Sequence, residues 1–136
     1  MAVSACNNFS LVVAEDGNLF AFGKNDKGQL VGETPVLTTH CIPRASYGNV
    51  PALMVACGSN FTMLLTATGR VWTCGFGGRG QLGTGLSQHD CSSYVLELVD
   101  TDDFRNAPVT FISAGGNHAM VLQEGDGSRW AWGSNL

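Results

Sequence analysis

The chain repeats itself. Val3-Ser4-Ala5-Cys6-Asn7-Asn8-Phe9-Ser10-Leu11-Val12-Val13 returns as Val55-Ala56-Cys57-Gly58-Ser59-Asn60-Phe61-Thr62-Met63-Leu64-Leu65, and again as Ile112-Ser113-Ala114-Gly115-Gly116-Asn117-His118-Ala119-Met120-Val121-Leu122. Val3 and Val55 stand 52 residues apart, and Val55 and Ile112 stand 57 apart. A period of roughly 20 to 50 residues or slightly more marks solenoids, propellers and arrays, in which no unit buries its own apolar face alone. Such self-similarity limits the fold more than any local propensity does.

Each copy continues into a turn and a further strand. Glu15-Asp16-Gly17-Asn18 leads into Leu19-Phe20-Ala21-Phe22-Gly23, and Ala67-Thr68-Gly69-Arg70 into Val71-Trp72-Thr73-Cys74-Gly75. The third copy reads Gly125-Asp126-Gly127-Ser128-Arg129 and then Trp130-Ala131-Trp132-Gly133. Gly17, Gly69 and Gly127 fall where a tight hairpin needs positive φ, and the flanking β-branched and aromatic residues favour strands. Next come Gly23-x-Asn25-x-x-Gly28-Gln29-Leu30 and Gly75-x-Gly77-x-x-Gly80-Gln81-Leu82-Gly83, while the third copy reaches Gly133-Ser134-Asn135-Leu136. The repeats are therefore expected at 3–54, 55–111 and 112–136, the third incomplete, within one partial domain over 1–136. The length suits one compact unit, which would bury about two thirds of its unfolded surface.

An apolar opening, a G-x-x-H/F-[ST] step, a D-G-type turn, a W-G-x-N step and G-Q-L-G together resemble the regulator of chromosome condensation repeat. The resemblance covers residues 3 to 32, 55 to 85 and 112 to 136. Cys6 departs from it at a usual Gly, Phe9 and Phe61 at a usual His, and Val31 interrupts Gly-Gln-Leu-Gly. The fold this implies is all-β, with β-propeller blades of four-stranded antiparallel sheets, here about two and a half repeats of a seven-bladed ring. An open blade face of roughly 400 Å² would forgo on the order of 10 kcal/mol at about 25 cal/mol/Å². That rivals a domain's whole stability of roughly 5 to 15 kcal/mol. Either remaining propeller repeats beyond residue 136 or a second copy, as a homo-oligomer, is expected to complete the ring.

Residues 33–50 and 86–108 vary in length and hold or adjoin Pro35, Pro43, Pro51 and Pro108, which suits connectors between blades. Glu97-Leu98-Val99-Asp100-Thr101-Asp102-Asp103 is the most acidic stretch. It reads as a solvated connector or, through Glu97, Asp100, Asp102 and Asp103, as a contact for a basic partner surface.

Other chemistry is disfavoured. A net charge of -4 with seven Lys and Arg offers no basic stripe, so no direct nucleic-acid binding is expected. The five cysteines are odd in number and form no C-x-x-C pair, which points to reduced thiols in an intracellular protein, cytoplasmic or nuclear, without a zinc site. Met1 to Val13 lacks the pattern of a signal peptide, and no apolar run approaches the roughly 20 residues of a membrane span. Gly75-Phe76-Gly77-Gly78-Arg79-Gly80 matches a dinucleotide fingerprint, but its counterpart Gly23-Lys24-Asn25-Asp26-Lys27-Gly28 does not, and both run into Gln-Leu rather than a helix. His40, His89 and His118 are scattered, and His118 aligns with Phe9 and Phe61, which suggests packing or hydrogen bonding within a blade. Cys57 and Cys74 lie in strand patterns as small hydrophobes. His89-Asp90-Cys91 places a thiol beside a base, yet neighbours in a connector do not assemble a nucleophile, base and orienting group. Trp72, Trp130 and Trp132 read as core and blade-interface residues, and the Gly-Trp-Arg-His-Thr motif of light-sensing propellers is missing.

No catalytic, cofactor or metal residues are expected, and the chain reads as a non-enzymatic protein–protein interaction module. The resemblance also implies two alternatives. One is guanine-nucleotide exchange on a Ran-like small GTPase; the other is the propeller of a large HECT-type ubiquitin ligase. In each the partner is a protein, a small GTPase among the candidates.

Overall fold

A computed structural model describes residues 1–31, 36–83, 92–99, 107–125 and 127–134. The first repeat forms β1 (Ala2–Cys6), β2 (Phe9–Val13), β3 (Leu19–Gly23) and β4 (Val36–Ile42). A short 3-10 turn over Arg44–Tyr47 leads to β5 (Ala52–Cys57), β6 (Phe61–Thr66), β7 (Val71–Phe76) and β8 (Ser92–Leu98). The third repeat supplies β9 (Val109–Ala114), β10 (His118–Gln123) and β11 (Arg129–Gly133). Each set makes one antiparallel sheet in chain order, with four, four and three strands among the described residues. These are the propeller blades expected from the repeat.

Two sequence expectations need correction. The segments 33–50 and 86–108 are not connectors throughout, because β4 and β8 lie inside them and form the fourth strands. The opening of each repeat is two strands rather than one. Asn7 breaks it at φ 49, a left-handed conformation that Asn tolerates because its short side chain can bond locally. Residues 58–60 and 115–117 separate β5 from β6 and β9 from β10, there without a positive φ.

Alternation along the middle strands divides the core into two layers. Phe9, Leu11 and Val13 of β2 face the second sheet and meet Val55, Leu64 and Cys74. Phe61, Met63 and Leu65 of β6 face the third sheet and meet Val109, Ile112 and Val121. β1 packs along β5 and β5 along β9, so the first strand of each sheet lies on the inner side of the stack. The outward face of the third sheet carries Phe111, 53% exposed, and Met120, 44% exposed. Val3 and Phe22 are exposed on the outward face of the first sheet.

Repeated latches hold neighbouring sheets together. Gly17 sits at φ 81, its carbonyl accepts the Ala52 N–H at 2.9 Å, and a Cβ there would lie 2.5 Å from the Pro51 Cβ. Gly69 repeats all three features, with φ 79, the Val109 N–H at 3.1 Å and the Pro108 Cβ at 2.5 Å. The hairpin glycine thus both turns the chain and admits the proline that opens the next blade.

The Gly-Gln-Leu step is the second latch. The Gln29 carbonyl accepts from Thr62 Oγ1 at 2.7 Å and Cys74 Sγ at 3.6 Å, and the Gln81 carbonyl accepts from Trp132 Nε1 at 2.9 Å. Cys74 and Trp132 each precede the positive-φ glycine at or next to the end of the third strand of their sheet, so one repeat position reaches back to the previous blade with whatever donor it carries. Trp132 is an interface residue, as expected, and Trp130 Nε1 donates to Gln123 Oε1 at 2.8 Å.

Candidate partner-binding surface

The loops that begin at Gly23 and Gly75 gather at one end of the stack. The first amide of each is tied to a turn of its own sheet: Lys24 N–H donates to the Asn8 carbonyl at 2.7 Å and Phe76 N–H to Asn60 at 2.8 Å. The turns are joined across sheets, since Asn7 Nδ2 donates to the Ser59 carbonyl at 2.8 Å and Ser59 N–H to Gly116 at 2.9 Å. Backbone here is fixed by bonds to its neighbours, which suits a surface that must present side chains in set places.

Inside the first loop Asn25 is buried and its Oδ1 accepts the Leu30 N–H at 2.9 Å, while Gln29 Oε1 accepts the Lys27 N–H at 2.9 Å. The second loop keeps the glutamine bond, Arg79 N–H to Gln81 Oε1 at 2.9 Å, but has Gly77 in place of the asparagine. Outward from these frames stand Lys24, Lys27 and Arg79, all exposed, with the half-buried ring of Phe76 among them. Lys24 Nζ lies 3.1 Å from Asp26 Oδ2, and Lys27 Nζ lies 5.8 Å from the centroid of the Phe76 ring. Slight burial opposes ionisation of Asp26, but hydrogen bonds from Lys24 and Gln29 outweigh it and hold the carboxyl below its usual range.

β8 runs antiparallel to β7, with Ser92 opposite Phe76 and Leu98 opposite Trp72. Glu97 is half-buried and its Oε1 accepts from Ser93 Oγ at 3.1 Å. Asp100, Asp102 and Asp103 lie outside the described residues, as does His89-Asp90-Cys91. The structure thus places one of the four acidic candidates, and it lies beside the first loop, because the carbonyl oxygen of its partner Ser93 would be 2.6 Å from a Cβ on Gly28. The basic and aromatic residues of the two loops carry no signal of their own in the sequence, because they sit inside a motif defined by its glycines.

His118 does not pack as its aligned phenylalanines do. Phe9 and Phe61 are buried between sheets, whereas His118 is exposed on the outward face of the third sheet with its ring lying over Gly115.

Burial pushes the Cys57 thiol up to about 11 and the Cys74 thiol up to about 12, from an ordinary 9.0. Both are neutral near pH 7 and poor nucleophiles. Holding two thiols neutral contributes stability that is complete below about pH 9 and is lost as pH rises through the folded-state values. Denaturant titrations followed by circular dichroism are expected to show stability falling progressively above about pH 9. At pH 8 iodoacetamide should modify exposed Cys41 well before Cys57 and Cys74. Equal labelling rates in peptide mass spectrometry would mean that the sheets open readily.

No helix among the described residues is long and apolar enough to cross a membrane.

The arrangement has counterparts in known proteins. The regulator of chromosome condensation (RCC1) repeat matches residues 2–29 and 55–81 in one form and 16–65 in another. The secretion-regulating guanine nucleotide exchange factor of Mus musculus is 33% identical over 136 residues, covering 99% of this chain and 28% of that protein. Protein RCC2 of Homo sapiens is 32% identical over 121 residues, covering 87% of this chain and 22% of that protein. Among solved structures, human WBSCR16 superposes with a TM-score of 0.83 at 24% identity, covering 97% of this chain and 33% of that one. Prp20p of Saccharomyces cerevisiae, whose structure was described with its binding properties to Gsp1p and histones, gives 0.81 at 21% identity, covering 98% of this chain and 32% of that one. The chain spans between 22% and 33% of the length of these four proteins.

Proposed function

The chain belongs to the regulator of chromosome condensation repeat family, and we propose that it is a propeller-type protein interaction module whose lysine- and arginine-bearing end receives a protein partner. One observation carries the reading. Two stacked loops, fixed by repeated backbone bonds, hold Lys24, Lys27, Phe76 and Arg79 outward together. Rigid backbone, exposed cations and an aromatic ring suit a surface that captures a partner with little ordering cost. The acidic residues Glu97, Asp100, Asp102 and Asp103 are proposed as a second contact, for a basic surface of the same or another partner.

Guanine-nucleotide exchange is the second reading. It is favoured by the 33% identity to the murine secretion-regulating guanine nucleotide exchange factor, and it makes a small GTPase the first partner to try. Prp20p adds histones as a second probe. Binding of the chain to an immobilised Ran-like GTPase and to core histones should be measured by interferometry, beside a variant carrying Lys24→Glu, Lys27→Glu and Arg79→Glu. Retention of the wild-type circular dichroism with at least about a tenfold loss of affinity is expected, since reversed charges face the partner with like sign. Undiminished binding by the variant would remove this end as the site. Release of a labelled nucleotide from the GTPase separates the two readings: acceleration selects exchange, and binding without acceleration selects the interaction module.

A further inference from the structure

The loops 23–31 and 75–83 are copies of one device, and the second lacks a part. In the first, both ends of the Gln29 amide are used: Oε1 accepts the Lys27 N–H at 2.9 Å, and Nε2 donates to Asp26 Oδ1 at 3.3 Å. In the second, Gln81 Oε1 accepts the Arg79 N–H at 2.9 Å, but Gly78 stands at the position of Asp26. Gln81 is 0% exposed, and its Nε2 is buried without an acceptor among the described residues. Buried donors are rarely left unpaired, because burial strips them of water without replacing the bond.

The surroundings of this donor favour an anion. Arg79 is exposed one residue beyond Gly78, and Lys27 of the preceding loop stands over the Phe76 ring. That ring covers Gly78, since a Cβ there would lie 2.6 Å from Phe76 Cζ. Phe76 occupies the position of Lys24, so the second loop has exchanged a lysine–aspartate pair for an aromatic cover over a bare glycine. Removal of the internal carboxylate has left its hydrogen-bond donor in place.

We propose that the 75–83 loop captures an aspartate or glutamate side chain of a protein partner. The partner's carboxylate takes the place that Asp26 fills in the first loop. It accepts from Gln81 Nε2 and faces Arg79 and Lys27 once the Phe76 ring swings aside. This rests on the reading that the lysine-bearing end receives a protein, and it names the chemical group that is recognised there.

The test uses the full chain, isotopically labelled, with hexaglutamate as probe and hexaglutamine and inorganic phosphate as controls. Hexaglutamate is expected to shift the side-chain NH2 resonance of Gln81 in amide-correlated spectra. Arg79→Gln should weaken the titration about tenfold, and Gly78→Asp, which supplies an internal acceptor, should abolish the Gln81 shift. Arg79 is exposed, so its variant keeps the test valid even if Gly78→Asp does not fold. Shifts at the Lys24 and Lys27 amides with none at Gln81 would overturn the acid-capture proposal and leave the wider partner-binding reading intact. An equal Gln81 shift with phosphate, or with hexaglutamine, would also overturn it, by showing a general anion site or a site indifferent to charge.

Discussion

Replacement of Gly75 by alanine is expected to cost about 3 to 5 kcal/mol, a large share of a domain's roughly 5 to 15 kcal/mol. Gly75 stands one residue before the end of β7 at φ 108, beyond the left-handed well that asparagine can occupy. A Cβ there would fall on the Asn60 carbonyl oxygen and 2.8 Å from the Phe61 Cα, both of them backbone atoms of the paired strand or its turn. Rotation of a side chain cannot relieve such an overlap. Gly23 and Gly133 repeat the geometry, with φ 111 and 108 and with Asn8 and Asn117 in the same role. Conformational strain of about 1 to 3 kcal/mol therefore adds to the displacement of β6, the strand that serves both core layers. Gly80 is the control. It also has positive φ, at 75, but nothing lies within 4 Å of its Cβ position, so Gly80→Ala should cost only about 1 kcal/mol. Urea denaturation midpoints at constant slope measure both. Equal losses for the two variants would show that the approach of Gly75 to Asn60 relaxes freely.

These glycines also show how far the repeat could be read. Offsets of 52 and, with one extra residue in the third turn, 58 put Gly17, Gly69 and Gly127 at the hairpins, and their φ values of 81, 79 and 72 agree. The opening stretch, read as one strand, and the strand after the hairpin were visible because turn residues recur in register. The fourth strands were not. Val36–Ile42 and Ser92–Leu98 do not resemble each other, lie among prolines or acidic residues, and pair on one side only. In β8 the successive residues Tyr94 and Val95 are both exposed, so the strand lacks the alternation by which a half-buried strand is recognised. Val31 was visible as an interruption of Gly-Gln-Leu-Gly; its consequence was not. It adopts φ 66, the value of Gly83 in the next copy, so a β-branched residue bears a conformation suited to glycine. At the candidate surface, the exchange of Asp26 for Gly78 could be read by aligning the loops, but its meaning depended on the direction of the Gln81 amide. That is a property of side-chain geometry rather than of spacing.

One repeat position yields opposite expectations in neighbouring blades. Phe61→Ala should cost about 3 to 5 kcal/mol, because the ring is 0% exposed between the second and third sheets and nothing smaller fills its place over Gly58. His118, aligned with it, lies over Gly115 in the same manner but on the outward face of the third sheet, beside exposed Met120. His118→Ala should therefore change stability by no more than about 0.5 kcal/mol in the 136-residue chain. The difference arises from what covers the residue, not from the residue type. If a further repeat or a second copy seats a sheet against β9, β10 and β11, His118 enters a layer like that of Phe61, and its truncation should then cost about 2 kcal/mol or more. The pair can be measured by denaturant unfolding across a range of protein concentrations. A small, concentration-independent loss for His118→Ala identifies an open face; a loss that grows with concentration identifies association through it. A large loss at every concentration would contradict the exposure of His118 and the orientation assigned to β10.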